Sequence, residues 1–184
     1  MIRSLALFAL TCSGAALSIE TQQLERPTSG EMTAIFKEDQ RARQVENVDW
    51  AKLEAEDAVR RKRTRDLLDA GELKSGNDYF HAAFIFQHGP TAEDHLLAHV
   101  LAMAAIKLGR EDASWIATAT LDRYLQRIGQ SQVLGTQYQC ENDRASMAPY
   151  ERKLVPDSVR EILGVPVGKA QEDLGNMLCG RTSN

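Results

Sequence analysis

The four histidines of the chain, His81, His88, His95 and His99, fall within nineteen residues of one another. Imidazole, with an ordinary pKa of about 6.5, is the side chain that takes up or gives away a proton near neutral pH. His81 and His88 stand seven apart and His95 and His99 four apart, so on helices each pair shares one face, and both faces are otherwise apolar. Downstream come Asp122-Arg123 and then Gln132, Thr136 and Gln137. Two kinds of chemistry suit these types. In the first, His81, Gln87, His95, Gln132, Thr136 and Gln137 line a pocket for a small polar ligand. In the second, a hydrolase-like site uses His88 or His99 as general base, Asp122 to orient that ring, and Arg123 with the Gln137 amide to stabilise developing negative charge. With no serine elbow and no activated cysteine, the nucleophile of such a site is water. Whether the protein is an enzyme stays open between these readings.

Each motif also has a plainer reading. Buried polar groups must be paired, so the same residues can be a satisfied network that specifies the core. His95-x3-His99 has helical metal-ligand spacing but lacks the glutamate of His-Glu-x-x-His, so no metal ligands are assigned and zinc is not favoured; the cofactor is unknown. Gly135-Thr136-Gln137 lacks the glycine pattern and lysine of a phosphate loop. Arg61, Lys62, Arg63 and Arg65 form a basic run that reads as a solvated helix face.

These residues need helices to position them. The pattern predicts a short helix over 31–43 and a longer one from Trp50 to Ala70, capped by Asp49 and closed by Gly71. Asp78 reads as the N-cap of an apolar helix over Tyr79–His88 that Gly89-Pro90 stops. Thr91-Ala92-Glu93-Asp94 resembles a capping box for a helix reaching Leu108, and Glu111–Ile128 follows, ended by Gly129. Leu96, Leu97, Val100, Leu101, Met103, Ala104 and Ile106 leave the middle helix little polar surface, which places it at the centre of a bundle. Short links favour antiparallel neighbours. At about 1.5 Å per residue, His99 then stands level with 120–122, His95 with Arg123 and Tyr124, and His81 with His99. The segment 130–139 reads as a polar loop or short hairpin and 140–156 as irregular, followed by a helix capped by Asp157 and a last one over 169–178. The fold class is all-α, a bundle of about six helices with an appended polar loop or short hairpin.

Together, Asp78-Tyr79, Ala82-Ala83, Gln87-His88-Gly89, His99, Leu101-Ala102, Ala105, Gly109, Asp122-Arg123, Gln132 and Gly135-Thr136-Gln137 resemble a family of small bacterial proteins, many with export signals, known only as a domain of unknown function. The resemblance spans roughly 57–163. It implies a helical domain whose polar positions belong together, and it brings no activity, substrate or cofactor. A looser likeness to Sel1-type or tetratricopeptide helix pairs, through Ala82, Ala98, Ala102 and Ala105, offers a protein-interaction module instead. Those folds need three or more stacked units, and one is found here.

The chain has 184 residues, 26% of them charged, with a formal net charge of −4. This composition excludes a polytopic membrane protein and a collagen-like fibre, and it leaves no positive footprint for nucleic acid. Residues 1–18 read as a secretory signal peptide: Arg3, a short apolar run, then Ala16-Leu17-Ser18 before the cut. Lipid attachment at Cys12 is the lesser reading. Cleavage removes Arg3 and no acid, so the net charge moves from −4 to −5. Residues 19–30 read as a mobile mature N-terminus and 31–184 as one helical domain. Export, periplasmic or secreted, leaves Cys140 and Cys179 as an even pair in an oxidising compartment, and a disulfide between them follows. The expected partner is a small polar molecule, with no nucleic acid and no stable membrane span after cleavage.

Overall fold

The computed structural model describes residues 26–141 and 144–180. The expected signal peptide and Cys12 lie outside them. Seven α-helices are present among the described residues: α1 (Gly30–Ala42), α2 (Trp50–Asp69), α3 (Gly76–Phe86), α4 (Ala92–Lys107), α5 (Ser114–Arg127), α6 (Asp157–Ile162) and α7 (Gly168–Gly180). A 3-10 turn, Glu111–Ala113, leads into α5. The strands β1 (Gln139–Glu141) and β2 (Arg144–Ser146) form the only sheet among these residues, antiparallel, with Cys140 opposite Ala145. The fold is all-α with a small appended hairpin. That hairpin begins at Gln139, the last residue of the segment 130–139, and runs on into the stretch expected to be irregular. Gln132 instead pairs with Tyr150, through Gln132 N–H to Pro149 O at 3.1 Å and Glu151 N–H to Gln132 O at 2.9 Å.

Capping fixes the starts of α3 and α4. Thr91 Oγ1 accepts from Asp94 N–H while the Asp94 carboxylate accepts from Thr91 N–H, as the sequence pattern implies. In α3 the cap is Ser75, one turn before the expected Asp78. Asp78 is the third helical residue and completes the box by accepting from Ser75 N–H at 2.9 Å. Its other oxygen accepts from Ser29 N–H at 2.8 Å. Thr28 and Ser29, at the end of the segment 19–30, are thus tied to the start of α3, and Gly30 is the first residue of α1. Likewise Asp157 is the first residue of α6, and Pro156 occupies its cap. Gly109 and Gly129 end α4 and α5 with φ of 90° and 73°, a left-handed conformation that glycine adopts without Cβ strain.

The helix α4 packs between α3 and α5. Its inner residues Ala98, Leu101, Ala102 and Ala105 meet Ala82, Ala83, Ile85, Phe86, Ile116 and Ala117 in the core, where Met32 of α1 and Leu67 of α2 also bury. Alanines at these positions let backbones approach closely and leave no room for longer side chains. The burial of α4 is one-sided, however. Leu96, Val100 and Met103 are 39%, 54% and 51% exposed, so α4 is central toward α3 and α5 but open on its third face. Cys140 of the hairpin and Cys179 of α7 are bonded, with Cα atoms 5.3 Å apart, and this bridge anchors α7 against the hairpin. Among the described residues, no helix is long and apolar enough to cross a membrane.

Candidate functional site

The loop after α5 is built around one carboxylate. Asp122 is fully buried, and its Oδ1 accepts from Val133 N–H (2.8 Å) and Leu134 N–H (3.1 Å). Its Oδ2 accepts from Thr136 N–H (2.9 Å) and the Thr136 hydroxyl (2.8 Å). Four donors from three residues, Val133, Leu134 and Thr136, converge because Gly135 turns the backbone at φ 76°. A Cβ there would strike Gln171 and Tyr150, whose side chains donate to Leu134 O and Gly135 O. Gln132 completes the loop: its Oε1 accepts from Gln137 N–H at 3.0 Å and its Nε2 donates to Gln137 O at 2.9 Å. Asp122, Gln132 and Thr136 are therefore occupied in shaping the loop. Asp122 touches no imidazole, contrary to the expected orienting role.

The loop in turn fixes Arg123. Arg123 Nε donates to Gln137 Oε1 at 2.8 Å and Nη1 donates to Gln87 O at 3.1 Å, while Gln137 Nε2 donates to Ala119 O and Thr136 Oγ1. The guanidinium is thereby spread between the end of α3 and the loop after α5, with no carboxylate partner. It faces a cavity of about 440 Å³ lined by Gln87, His88, Gly89, His95, Arg123, Gln126 and Arg127. No acidic residue is among the lining.

The four histidines part company. His95 is 3% exposed, lines this cavity, and has no hydrogen-bond partner at either ring nitrogen; its Nδ1 is completely buried. Burial, followed by the charges of Arg123 and Arg127 and a small effect of His88, pushes its pKa down to about 4 against the opposing pull of Asp94. The ring is thus neutral at pH 7. Its expected level with Arg123 matches the cavity they share. His88 also lines the cavity, and its Nδ1 lies 3.3 Å from Asp39 Oδ1. The carboxylate only accepts, so Nδ1 carries the proton. Asp39, buried on α1, also accepts from Arg43 Nη1 (2.8 Å) and Gln40 Nε2 (2.8 Å); Arg43 and Arg60 then share Asp57. Burial would raise the Asp39 pKa, but the hydrogen bond and charge of His88, with Arg43 and Gln40, hold it below the usual carboxylate range.

His99 and His81 lie elsewhere. His99 Nδ1 donates to Ala117 O at 2.8 Å, about one turn before the expected level, and the ring is absent from the cavity lining. His81 stacks on Phe36 of α1 with ring centroids 4.3 Å apart. Burial, Arg110 and Lys37 lower its pKa against a smaller opposing effect of Asp78. The expected convergence of all four imidazoles on Asp122 and Arg123 is corrected accordingly. Two of them, His88 and His95, meet Arg123, because α3 turns His81 toward α1 rather than toward α4.

The sequence reading missed Gly89, Gln126, Arg127 and Asp39. Arg127 was within reach, since it stands one helical turn beyond Arg123 on the same face. Asp39 carried no signal, for nothing in a polar N-terminal helix marks which acid meets a histidine 49 positions later. Among the described residues, no three His, Cys, Asp or Glu side chains gather as a metal site. Compared with known proteins, the chain matches no family model, no curated protein and no solved structure.

Proposed function

We propose that this is an exported helical binding module that holds a small polar molecule in the cavity between the α3–α4 link and the C-terminal end of α5. The observation that carries the reading is His95, a buried imidazole facing an open cavity with both nitrogens unpartnered. The sealed Nδ1 costs roughly 1–3 kcal/mol of stability, while Nε2, which is not sealed in, is left for a ligand in the cavity to bond. The residues behind the resemblance to the domain-of-unknown-function family support the same place. Gln87 of Gln-His-Gly and Arg123 of Asp-Arg line the cavity, and Arg123 is hydrogen-bonded both to Gln87 O and to Gln137 of Gly-Thr-Gln, which does not line it. The Cys140–Cys179 bridge agrees with a periplasmic or secreted location.

One specific observation favours hydrolysis as a second reading: the Asp39–His88 pair has the carboxylate–imidazole arrangement that orients a general base, and His88 lines the cavity. Binding has the stronger support, because His99 and Asp122 are both engaged with backbone groups away from such a pair.

The test is a thermal-shift and NMR screen of the signal-free chain against a library of neutral, cationic and anionic polar metabolites. His95→Leu serves as control. It replaces an unpaired polar ring by an apolar side chain and keeps the fold. A compound that stabilises wild type, moves the His95 ring signals and loses at least tenfold in affinity for His95→Leu is the expected result. A library with no such compound, or hits that bind both proteins equally, sinks the proposal. Under the second reading the bound compound turns over, and His88→Gln abolishes turnover while keeping binding.

A further inference from the structure

The charges around the cavity say more than that it is polar. Arg123 and Arg127 are four apart on α5, so their guanidiniums share one face, and both line the cavity with no ion pair to either. Like charges at this spacing are unfavourable unless neutralised, and their mutual effect is visible: burial and then Arg127 lower the pKa of Arg123. The other lining groups fit the same partner. Arg123 Nε and Nη1 are committed to Gln137 and Gln87, which fixes the fork and leaves Nη2 without a protein acceptor. Gln126 supplies an amide and His95 an imidazole, and a neutral imidazole offers one N–H donor. Every charged group on the wall is cationic.

Resting on the binding-module reading, we infer that the occupant is a small molecule bearing two negative charges on oxygen, a phosphomonoester or a dicarboxylate. It is gripped by Arg123 Nη2 and Arg127, with Gln126 and His95 as neutral donors. Guanidinium pairs suit oxyanions because their planar N–H donors match two oxygens at once. Two positive charges ask for two negative ones. The cavity, at about 440 Å³, exceeds the volume of a bare phosphate and leaves room for an organic remainder. His95 is the internal reporter. The groups acting on it are Arg123 and Arg127 of α5, Asp94 of its own helix and His88, so neutralising the two arginines by a bound dianion raises its pKa.

The probes are inorganic phosphate, glycerol 2-phosphate and succinate, with glycerol and choline as neutral and cationic counterparts, all at one ionic strength set by NaCl. Titrations follow the thermal midpoint and the pH dependence of the His95 ring signals by NMR. Wild type is expected to bind at least one dianion and neither counterpart, with the His95 pKa moving up from about 4 on binding. Phosphate and glycerol phosphate binding without succinate identifies a phosphate headgroup, and succinate alone identifies a dicarboxylate. Arg127→Gln, at an exposed position with no ion pair to lose, holds or slightly raises the ligand-free midpoint by relieving the repulsion with Arg123, and weakens the dianion by about tenfold or more. Binding that is equal in wild type and Arg127→Gln, or a His95 pKa that stays put, overturns the inference. A neutral or cationic library ligand that binds through His95 while all three dianions fail overturns the ligand class and leaves the binding module standing. Failure of every class of compound removes both.

Discussion

Replacing Asp122 by alanine tests whether one buried carboxylate organises the loop that holds Arg123. The side chain accepts four hydrogen bonds, from Val133, Leu134 and Thr136 backbone N–H and from the Thr136 hydroxyl, at 2.8 to 3.1 Å, with no exposed surface. A hydrogen bond to an ionised acceptor contributes about 1.5 kcal/mol at the low end, so four total about 6 kcal/mol. The bonds share one carboxylate and are not independent, and water entering the vacated site recovers part of the loss. An observed destabilisation of about 4 kcal/mol is therefore expected, most of the stability of a marginal domain. Asp122→Asn keeps the shape and one good acceptor oxygen, so it loses about half as much. The assay is urea unfolding followed by circular dichroism, paired with amide hydrogen exchange. Val133, Leu134 and Thr136 should lose protection in Asp122→Asn while the α3 and α4 core amides retain theirs. A loss below about 1 kcal/mol for the alanine variant, with those three amides still protected, would refute the view that Asp122 shapes the loop.

Two further outcomes follow from other parts of the fold. Reducing the Cys140–Cys179 bridge, which closes a separation of 39 residues, should lower stability by about 4 kcal/mol on the loop-entropy argument, measured as the urea-unfolding free energy with and without reductant; a midpoint indifferent to reductant counts against it. The pH dependence is set by His95, whose folded pKa of about 4 lies below its unfolded value of about 6.5. Between those values the unfolded chain binds the extra proton, so stability falls as pH drops from about 6.5 to about 4, by up to about 3 kcal/mol. His81 acts in the same direction, while the depressed Asp39 pKa costs stability only below about pH 4, as the pH falls through its folded value. Comparing wild type with His95→Leu from pH 7 to 4.5 isolates the His95 share, and parallel profiles would show that it titrates normally.

Much of the helical frame was legible because its signals are local. Ser, Thr and Asp caps, glycines after the last turn and a 3.6-residue apolar period specify α1 to α5 to within a few residues. The misplaced start of α3 shows the limit: Ser75 and Asp78 are both good cap residues, and choosing between them needs the backbone hydrogen bonds. The disulfide was legible by counting, since the expected export would leave two cysteines. A loop or short hairpin after α5 was legible too, but not its bounds, because Gln139–Glu141 and Arg144–Ser146 have no alternation long enough to read.

For the candidate site, the amino-acid sequence by itself determined which residues ride on which helix and that His95 stands level with Arg123. It also determined that Arg127 shares a face with Arg123. Tertiary packing decided the rest. Whether an imidazole meets an aromatic ring, a carbonyl or an open cavity depends on how neighbouring helices are rotated and crossed, and helical periodicity fixes a face without fixing what that face meets. His81 met Phe36 and His99 met Ala117 O for that reason. Asp122 was claimed by backbone N–H groups, donors that every loop carries and that no side-chain pattern reveals.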